Sequence, residues 1–489
     1  MSTKINRNNR RRRFIGLTVA VMLLPWTSNA AQLFAGSSTA SITPDGPVAL
    51  SGQMNTRIAS IVESEVLAVA LALESRDAEV VVDQAIMVAC DLVAIREGIL
   101  DKVRERITPR LTDFDPSKLL LSATHTHTAP VTEIEAYTIP KDDVIQPEVY
   151  VEFLADRVAG AVIAAWESRK PAKAGWGLGH AVVAQNRRSI YADGHAQMYG
   201  PTDKPDFRAI EGGEDQGVEV LFIWNEREEL VATAVNIACP SQEVEGRSAV
   251  NADFWHNVRE TLQAKYGPNL AVLGWTGAAG DQSPHLMVRK AAEERMRELR
   301  GIDRLEELAR RIVAAWEEAY EGAAKEKHSD LKMQHTVRTI ELPLRTITEK
   351  ESAEARAHVE SLSHDPNNRR RVVWHQSVVD RYEQQLAGQT LPYLMELHAI
   401  RLGDIVIVTN DFELFTEYGL QMKARSKALQ TFVIQLAGPG TYVPTERAAK
   451  GGGYSAVAES NVVGFEGGQV LTEKTVEAIN ALWPEVEAK

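Results

Sequence analysis

Apolar runs that alternate with helix-like stretches are the feature that most limits the fold of this chain. Strand-like runs recur at 80–88, 119–123, 218–224, 230–238, 270–275, 395–402, 405–409 and 432–436. Helical periodicity recurs between them, at 149–168, 290–320 and 352–386. The last two helical stretches are rich in charge, so we expect them to be solvent-exposed. Strands that alternate with helices predict an α/β or α+β fold, in which mixed β-sheets are flanked by helices.

Two hairpins are predicted, each of which joins two strand-like runs across a short polar turn: 218–224 with 230–238, and 395–401 with 405–409. The second strand of each hairpin ends at candidate site residues. These are Cys239 in the first hairpin, and Asp411 and Glu413 in the second. Residues at strand ends are well suited to chemistry because the rigid sheet fixes where the following loop begins.

The first thirty residues have the composition of an export signal. A basic head is followed by an apolar stretch at 14–26 and by small residues suited to cleavage. Arg11, Arg12 and Arg13 fit the twin-arginine pattern, and the apolar stretch is short for a membrane span. We therefore expect residues 31–489 to form one catalytic domain that is exported to the periplasm or secreted.

The charge of the chain excludes one class of partner. The formal net charge is −13, and it becomes −19 without the first thirty residues, which contain six basic residues and no acidic residue. A surface this acidic repels phosphate groups, so we expect no binding to nucleic acid.

An apolar run at 119–123 leads into two histidines, His125 and His127, that are one residue apart. Alternate residues of an extended strand share a face, so both imidazoles can reach the same metal ion or substrate. The alternative interpretation is a pair of polar residues in a loop that binds nothing.

A glycine-rich loop follows the predicted strand at 270–275. Its glycines let a substrate approach the backbone closely, so Gly280 and Asp281 are candidate substrate-binding residues. Ser283 is either a nucleophile or a turn serine before a proline. The turn is favoured by the local sequence, because no G-x-S-x-G motif is present.

Acidic and aromatic residues follow the last predicted strands. Asp411, Glu413 and Glu417 lie beyond the strand at 405–409, where acids act either at a site or as caps of the next helix. Tyr442 and Tyr454 lie in a glycine-rich segment, and either tyrosine alone is more typical of packing than of catalysis.

Taken in order, these motifs resemble the neutral/alkaline (non-lysosomal) ceramidase family. The resemblance rests on Thr-His-Thr-His-x-x-Pro at 124–130, a strand that ends in a candidate ligand, Gly-Asp-x-Ser-Pro at 280–284, Glu-x-Phe-x-Glu-x-Gly at 413–419, and Tyr-Val-x-Thr at 442–445 with a second tyrosine at 454. It covers roughly residues 45–480, which correspond to the family's catalytic domain. We expect residues 31–489 to correspond to that catalytic domain alone, without the family's C-terminal immunoglobulin-like domain.

Members of that family are zinc amidases that hydrolyse the N-acyl bond of ceramide. The resemblance implies zinc ligation by His125, Glu413 and Tyr442, and it implies that His127 faces the scissile amide. It also implies a hydrogen bond from Tyr454 to the tetrahedral intermediate, a site role for Arg187 in an Asn-Arg-Ser-like segment, and a correspondence of Ser283 to a serine once proposed as the nucleophile. A lipid substrate of this kind further implies peripheral contact with a membrane.

Cys239 is the main departure from the family pattern. Counted back from Asp253, it occupies the position of the family's second zinc-binding histidine. A thiolate is a good zinc ligand, so Cys239 is our candidate for the fourth ligand. The alternatives are a buried thiol beside a site without metal, and a disulfide with Cys90, the other cysteine.

Two other functions stay open at this stage. A barrel amidohydrolase also begins with His-x-His after a strand, but its barrel needs eight strand–helix repeats. The sequence does not show that repeat pattern. A non-catalytic periplasmic binding protein could use the same fold with an impaired site.

Overall fold

The computed structural model describes residues 31–96 and 98–483. The predicted export signal at 1–30 lies outside them. Within the described ranges, no helix has both the length and the apolar character needed to cross a membrane.

The strands of the described chain are β1 (Gln32–Ser41), β2 (Val48–Leu50), β3 (Arg57–Ala59), β4 (Leu67–Asp77), β5 (Val80–Cys90), β6 (Leu119–Ala123), β7 (Lys170–His180), β8 (Gln185–Asn186), β9 (Arg188–Tyr191), β10 (Ala196–Met198), β11 (Phe207–Ile210), β12 (Gly217–Asn225), β13 (Leu230–Ile237), β14 (Ala271–Thr276), β15 (Gln282–Ser283), β16 (Met333–Leu342), β17 (Tyr393–Leu402), β18 (Ile405–Thr409), β19 (Glu413–Leu414), β20 (Gln430–Ile434) and β21 (Tyr442–Val443). The α-helices are α1 (Ile99–Ile107), α2 (Pro147–Glu167), α3 (Phe254–Tyr266), α4 (Lys290–Arg300), α5 (Arg304–Ala323), α6 (Glu349–Leu362), α7 (Arg369–Leu386), α8 (Thr416–Arg425), α9 (Glu446–Gly451) and α10 (Phe465–Ala481).

Two large mixed sheets organise the molecule. The first has eight strands in the order β14-β13-β12-β7-β1-β4-β5-β6, and the second has the order β16-β17-β18-β20. Most neighbours are antiparallel, whereas β5–β6, β13–β14 and β18–β20 are parallel. Both predicted hairpins are confirmed, as β12–β13 and β17–β18. An amidohydrolase barrel is excluded, because its strands would all be parallel.

The two large sheets pack face to face and form the central core. Leu71, Met87 and Leu221 of the eight-stranded sheet belong to the same buried cluster as Ile400 and Ile407 of the four-stranded sheet. Helices α1, α2, α3 and α5 cover the outer face of the larger sheet, and α8 and α10 cover that of the smaller one. The result is a four-layer α/β/β/α arrangement, which confirms the predicted class of mixed sheets flanked by helices.

Glycines on one face of β7 allow α5 to approach the sheet closely. A Cβ at Gly177 or Gly179 would overlap the backbone of α5 at Ala319 or Ala315. One face of helix α5 is buried against the sheet, which corrects our expectation of a solvent-exposed helix at 290–320. That stretch is also divided in two by Gly301, which adopts the left-handed conformation after α4.

The carboxyl ends of the parallel strand pairs meet at one edge of the two sheets. At the end of β6, the Ala123 carbonyl accepts a hydrogen bond from the hydroxyl of Thr276 at the end of β14 (3.2 Å), and the Ala123 N–H donates one to the carbonyl of Leu436 after β20 (3.1 Å). Gln435 donates from its backbone N–H to the carbonyl of Thr276 (2.9 Å). Segments that are far apart in sequence therefore begin their loops at the same place, and these loops carry the predicted site residues.

Candidate functional site

Five of the predicted residues line one pocket at this edge: His125, His127, Glu413, Tyr442 and Tyr454. The pocket has a volume of about 190 Å³. Pockets that enclose drug-sized ligands usually measure about 300–1,000 Å³, so this one encloses a compact group and leaves the rest of a larger ligand outside.

His125 is held by the backbone of the loop that follows β5. Its N–H donates to the carbonyl of Leu92 (2.9 Å), and its ring Nδ1 lies 2.7 Å from the carbonyl oxygen of Val93. A carbonyl oxygen only accepts, so Nδ1 carries the proton and Nε2 keeps a free lone pair. His125 has a φ of 69°, an unusual backbone conformation that the loop imposes.

His127 converges on the same point. Its Nε2 is 3.1 Å from Nε2 of His125, and its Nδ1 is 3.2 Å from Oε2 of Glu245. Burial lowers the pKa of His127 and outweighs the opposite effect of Glu245. If Nδ1 of both rings is protonated, two lone pairs face each other, and this arrangement is stable only with a proton or a cation between them.

Glu413, in β19, completes a cluster around His125. Its Oε2 is 3.3 Å from Nε2 of His125. Burial acts to raise the pKa of the Glu413 carboxyl, but His125 and Arg187 outweigh it and lower that pKa. The carboxylate is therefore charged and available as a ligand.

Arg187 lies behind the pocket and joins three segments. Its guanidinium donates to the hydroxyl of Tyr442 (3.0 Å), to the carbonyl of Gly280 (3.0 Å) and to the hydroxyl of Tyr199 (3.3 Å). Burial and the charge of Glu413 raise the pKa of Tyr442 well above its ordinary value. The phenol therefore keeps its proton unless a cation binds beside it.

Tyr454 forms part of the pocket wall, next to Tyr442 and Trp374. Its ring centroid is 5.8 Å from that of Tyr442, and it stacks on Trp374 of α7 at 5.7 Å. Burial, reinforced by Glu413, raises the pKa of Tyr454 to about 12. Its hydroxyl is therefore a hydrogen-bond donor near neutral pH.

Cys239 does not line this pocket. Its side chain is fully buried in a separate apolar cluster, with Sγ 3.8 Å from the carbonyl oxygen of Val183 and 3.7 Å from that of Pro240. Burial and the charge of Asp253 raise the pKa of the thiol well above its ordinary value. Ligation by Cys239 stays a prediction, and its position as a buried neutral thiol lends it no support. Cys90 and Cys239 are both free thiols.

The residues predicted in the glycine-rich loop act behind the pocket and do not line it. Ser283 is fully buried, and its Oγ contacts the Tyr199 hydroxyl at 3.0 Å. Asp281 accepts hydrogen bonds from Asn186 (2.8 Å) and from the backbone and hydroxyl of Thr416. The geometry thus gives these residues a positioning role, and their contact with substrate stays a prediction.

Gly280 is where the glycine-rich loop touches Glu413, and it offers a test of this packing. A Cβ at Gly280 would overlap the carbonyl oxygen of Glu413. We expect Gly280→Ala to lower the free energy of unfolding by about 1–3 kcal/mol and to displace the Glu413 carboxylate. In the control Gly213→Ala the new Cβ meets no atom within 4 Å, so we expect no measurable change. Equal urea midpoints for the two variants would contradict this packing.

A divalent cation fits the donors that meet at His125. Two ligands of a tetrahedral zinc lie about 3.3 Å apart, which matches the 3.3 Å between Nε2 of His125 and Oε2 of Glu413. Over residues 31–96 and 98–483, no group of three His, Cys, Asp or Glu side chains forms a metal site by itself. A cation at His125 and Glu413 would therefore need a donor of another residue type, and Tyr442 lines the same pocket.

Several residues of the site carry no motif in the sequence. Glu245 faces His127, and Arg96, Arg370 and Trp374 line the pocket. Glu245 lies in the loop after the predicted strand at 230–238, which ends at the candidate ligand Cys239. That position is the only feature of the sequence that points to Glu245 as a site residue. The other three become visible only when distant segments are brought together.

Two solved structures resemble this chain. A neutral ceramidase from Pseudomonas aeruginosa superposes with a TM-score of 0.67 and 17% sequence identity, over 92% of this chain and 74% of that chain. A ceramidase complexed with C2 gives a TM-score of 0.65 and 15% identity, over 92% and 75% of the two chains. No protein-family model and no curated protein matches the sequence. The chain thus has the fold of neutral ceramidase, as the order of its motifs predicts.

Proposed function

We propose that the protein is a zinc-dependent amide hydrolase of the ceramidase type, which cleaves the N-acyl bond of ceramide or a related lipid. One observation carries this proposal: His125, Glu413 and Tyr442 come from three distant segments and meet in one pocket. The resemblance to two ceramidase structures supports the same class of reaction.

His125, Glu413 and Tyr442 would hold the zinc ion through one nitrogen and two oxygens. When bound, such an ion polarises an amide carbonyl and lowers the pKa of a water molecule to about 7. The Val93 carbonyl keeps Nε2 of His125 free for this purpose. Arg187 fixes the hydroxyl of Tyr442 from behind.

The remaining residues act on the substrate. The Tyr454 hydroxyl donates a hydrogen bond to the carbonyl oxygen as negative charge develops there, and one such donor is worth about 3 kcal/mol. His127, whose Nε2 lies beside that of His125, takes up and releases protons and delivers one to the leaving amine. The products are a carboxylic acid and a free amine.

A panel of fluorogenic N-acyl amides, offered with and without a chelator, tests the proposal. We expect hydrolysis of at least one N-acyl amide, loss of that hydrolysis with the chelator, and recovery with zinc. Ligand binding without turnover of any substrate would instead favour a binding protein.

A second candidate substrate is an amide that carries a carboxylate. Arg96 and Arg370 both line the pocket and share one acidic partner, Glu133, at 3.3 and 3.1 Å. Although Glu413 and Glu459 also line the pocket, the two guanidinium groups exceed the Glu133 carboxylate that they share by one positive charge. An anionic group on the substrate would satisfy it.

Arg370→Gln separates these candidates. If the substrate is anionic, we expect kcat/KM for a carboxylate-bearing N-acyl amide to fall by about tenfold or more, since a charged hydrogen bond contributes about 1.5–3 kcal/mol. Hydrolysis of the matching carboxamide should not change. Arg371→Gln is the control, because Arg371 is exposed. Equal effects on both substrates would favour the uncharged lipid amide.

We also propose that the protein acts after export, because residues 1–30 have the composition of a cleaved signal. N-terminal sequencing of the mature protein tests this. A mature protein that remains in the cytoplasm and still carries residues 1–30 would contradict this proposal.

A further inference from the structure

We propose that Glu245 is a positioning residue for the reaction, holding His127 so that Nε2 points at the reacting amide. This inference rests on the proposed hydrolase function. The resemblance to ceramidases does not supply it, since Glu245 belongs to none of the matching motifs.

The contact between Glu245 and His127 is close and partly buried. Oε2 of Glu245 lies 3.2 Å from Nδ1 of His127, with side-chain exposures of 22% and 11%. The contact is not well aligned for a hydrogen bond, and within the described chain Nδ1 has no better partner. A buried ring nitrogen next to a carboxylate carries a proton, and that leaves Nε2 as the nitrogen that exchanges protons.

Arg57 fixes both partners through their backbones. Its guanidinium donates to the carbonyl of His127 (2.5 Å) and to the carbonyl of Glu245 (2.7 Å). It also donates to Ser51 (2.7 Å) and Arg247 (2.6 Å), and its side chain is buried. One rigid group therefore sets the spacing of the two segments, so the contact does not depend on the loop alone.

Glu245 is kept charged by its surroundings. Burial acts to raise its pKa, but the contact with Nδ1 of His127 and the neighbouring His285 and Arg187 lower that pKa to about 2. His285 approaches from the other side, with Nε2 3.5 Å from Oε1. A fixed carboxylate behind a histidine is the arrangement that selects one tautomer and orients the ring in other hydrolases.

Kinetics on the zinc-loaded protein provide the first test. We expect Glu245→Gln to lower kcat by about 10- to 100-fold with KM within about twofold, as for other groups that orient a histidine. Glu245→Asp, which keeps a carboxylate, should recover part of the loss. The bound zinc should stay equal to that of the wild type in both variants.

Glu243→Gln is the matched control. Glu243 lies in the same loop as Glu245, and its Oε2 is 3.6 Å from Nε of Arg304. We expect its kcat to be unchanged. An unchanged kcat in Glu245→Gln, or an equal loss in Glu243→Gln, would overturn the proposal.

A second readout does not need turnover. Nitrogen-15 NMR of histidine-labelled protein reports the tautomer of each ring, and His127→Gln identifies the signal of His127 among the 12 histidines. We expect a proton on Nδ1 in the wild type and a change of tautomer in Glu245→Gln. If no substrate is hydrolysed, the proposed function fails, yet an unchanged His127 signal in Glu245→Gln would still overturn this inference by itself.

Discussion

His125→Ala should abolish hydrolysis and zinc binding together. The substitution removes the nitrogen from which the distances to His127 and Glu413 are 3.1 and 3.3 Å. Loss of metal catalysis removes several kcal/mol of transition-state stabilisation, so we expect kcat/KM to fall by about 10³-fold or more. Activity assays and metal analysis on the same samples measure both effects.

His195→Ala is the control for this variant, because His195 is exposed and paired with Asp193 on the surface. It should keep both the zinc and the activity. A His125→Ala protein that is folded and hydrolyses its substrate at the wild-type rate would show that the cluster at His125 is not the active site.

Arg259→Met should give the largest loss of stability. Arg259, in α3, makes a two-pronged contact with Asp91 (2.6 and 3.0 Å), and both side chains are almost fully buried. Asp91 also accepts hydrogen bonds from Leu67 N–H (2.9 Å) and the Thr124 hydroxyl (3.2 Å), and Thr124 directly precedes His125. Without its partner the carboxylate stays buried and unpaired, which costs about 3–5 kcal/mol of unfolding free energy.

Arg247→Met is the comparison for that variant. Arg247 pairs with Glu63 at 2.7 Å, but the two side chains are 47% and 37% exposed. An exposed ion pair contributes about 1 kcal/mol or less to the free energy of unfolding, so the urea midpoint of Arg247→Met should stay close to that of the wild type. Equal midpoints for the two variants would contradict the role we give to Asp91 in holding the segment before His125.

The strands that sequence reasoning found are those with a strong local pattern. Runs rich in branched and aromatic residues, such as β12 and β18, could be identified because their composition suits a sheet. Strand β4 has a sequence rich in Ala and Leu, which is equally typical of a helix, so the sequence does not predict this strand although it lies inside the large sheet. Strand β7 is not predicted for another reason: its glycines are explained only by the close approach of α5 in the folded protein.

Some residues of the site can be identified from short motifs, whereas others are recognised only from the folded structure. His125, Glu413 and Tyr442 follow short motifs, so they could be named from the sequence and are found together in the structure. Cys239 was placed by counting along the chain, and counting does not show which way a side chain points. Glu245 is 118 residues from His127, and only the loop carried by β13 brings the two together.

Loss and recovery of amide hydrolysis on removal and return of zinc tests the central claim most directly. The purified protein should release the amine from an N-acyl amide, lose that activity on dialysis against a chelator, and regain it when about one zinc ion per chain is restored. Hydrolysis that continues unchanged in the metal-free protein would contradict the account of a zinc-dependent site at His125, Glu413 and Tyr442.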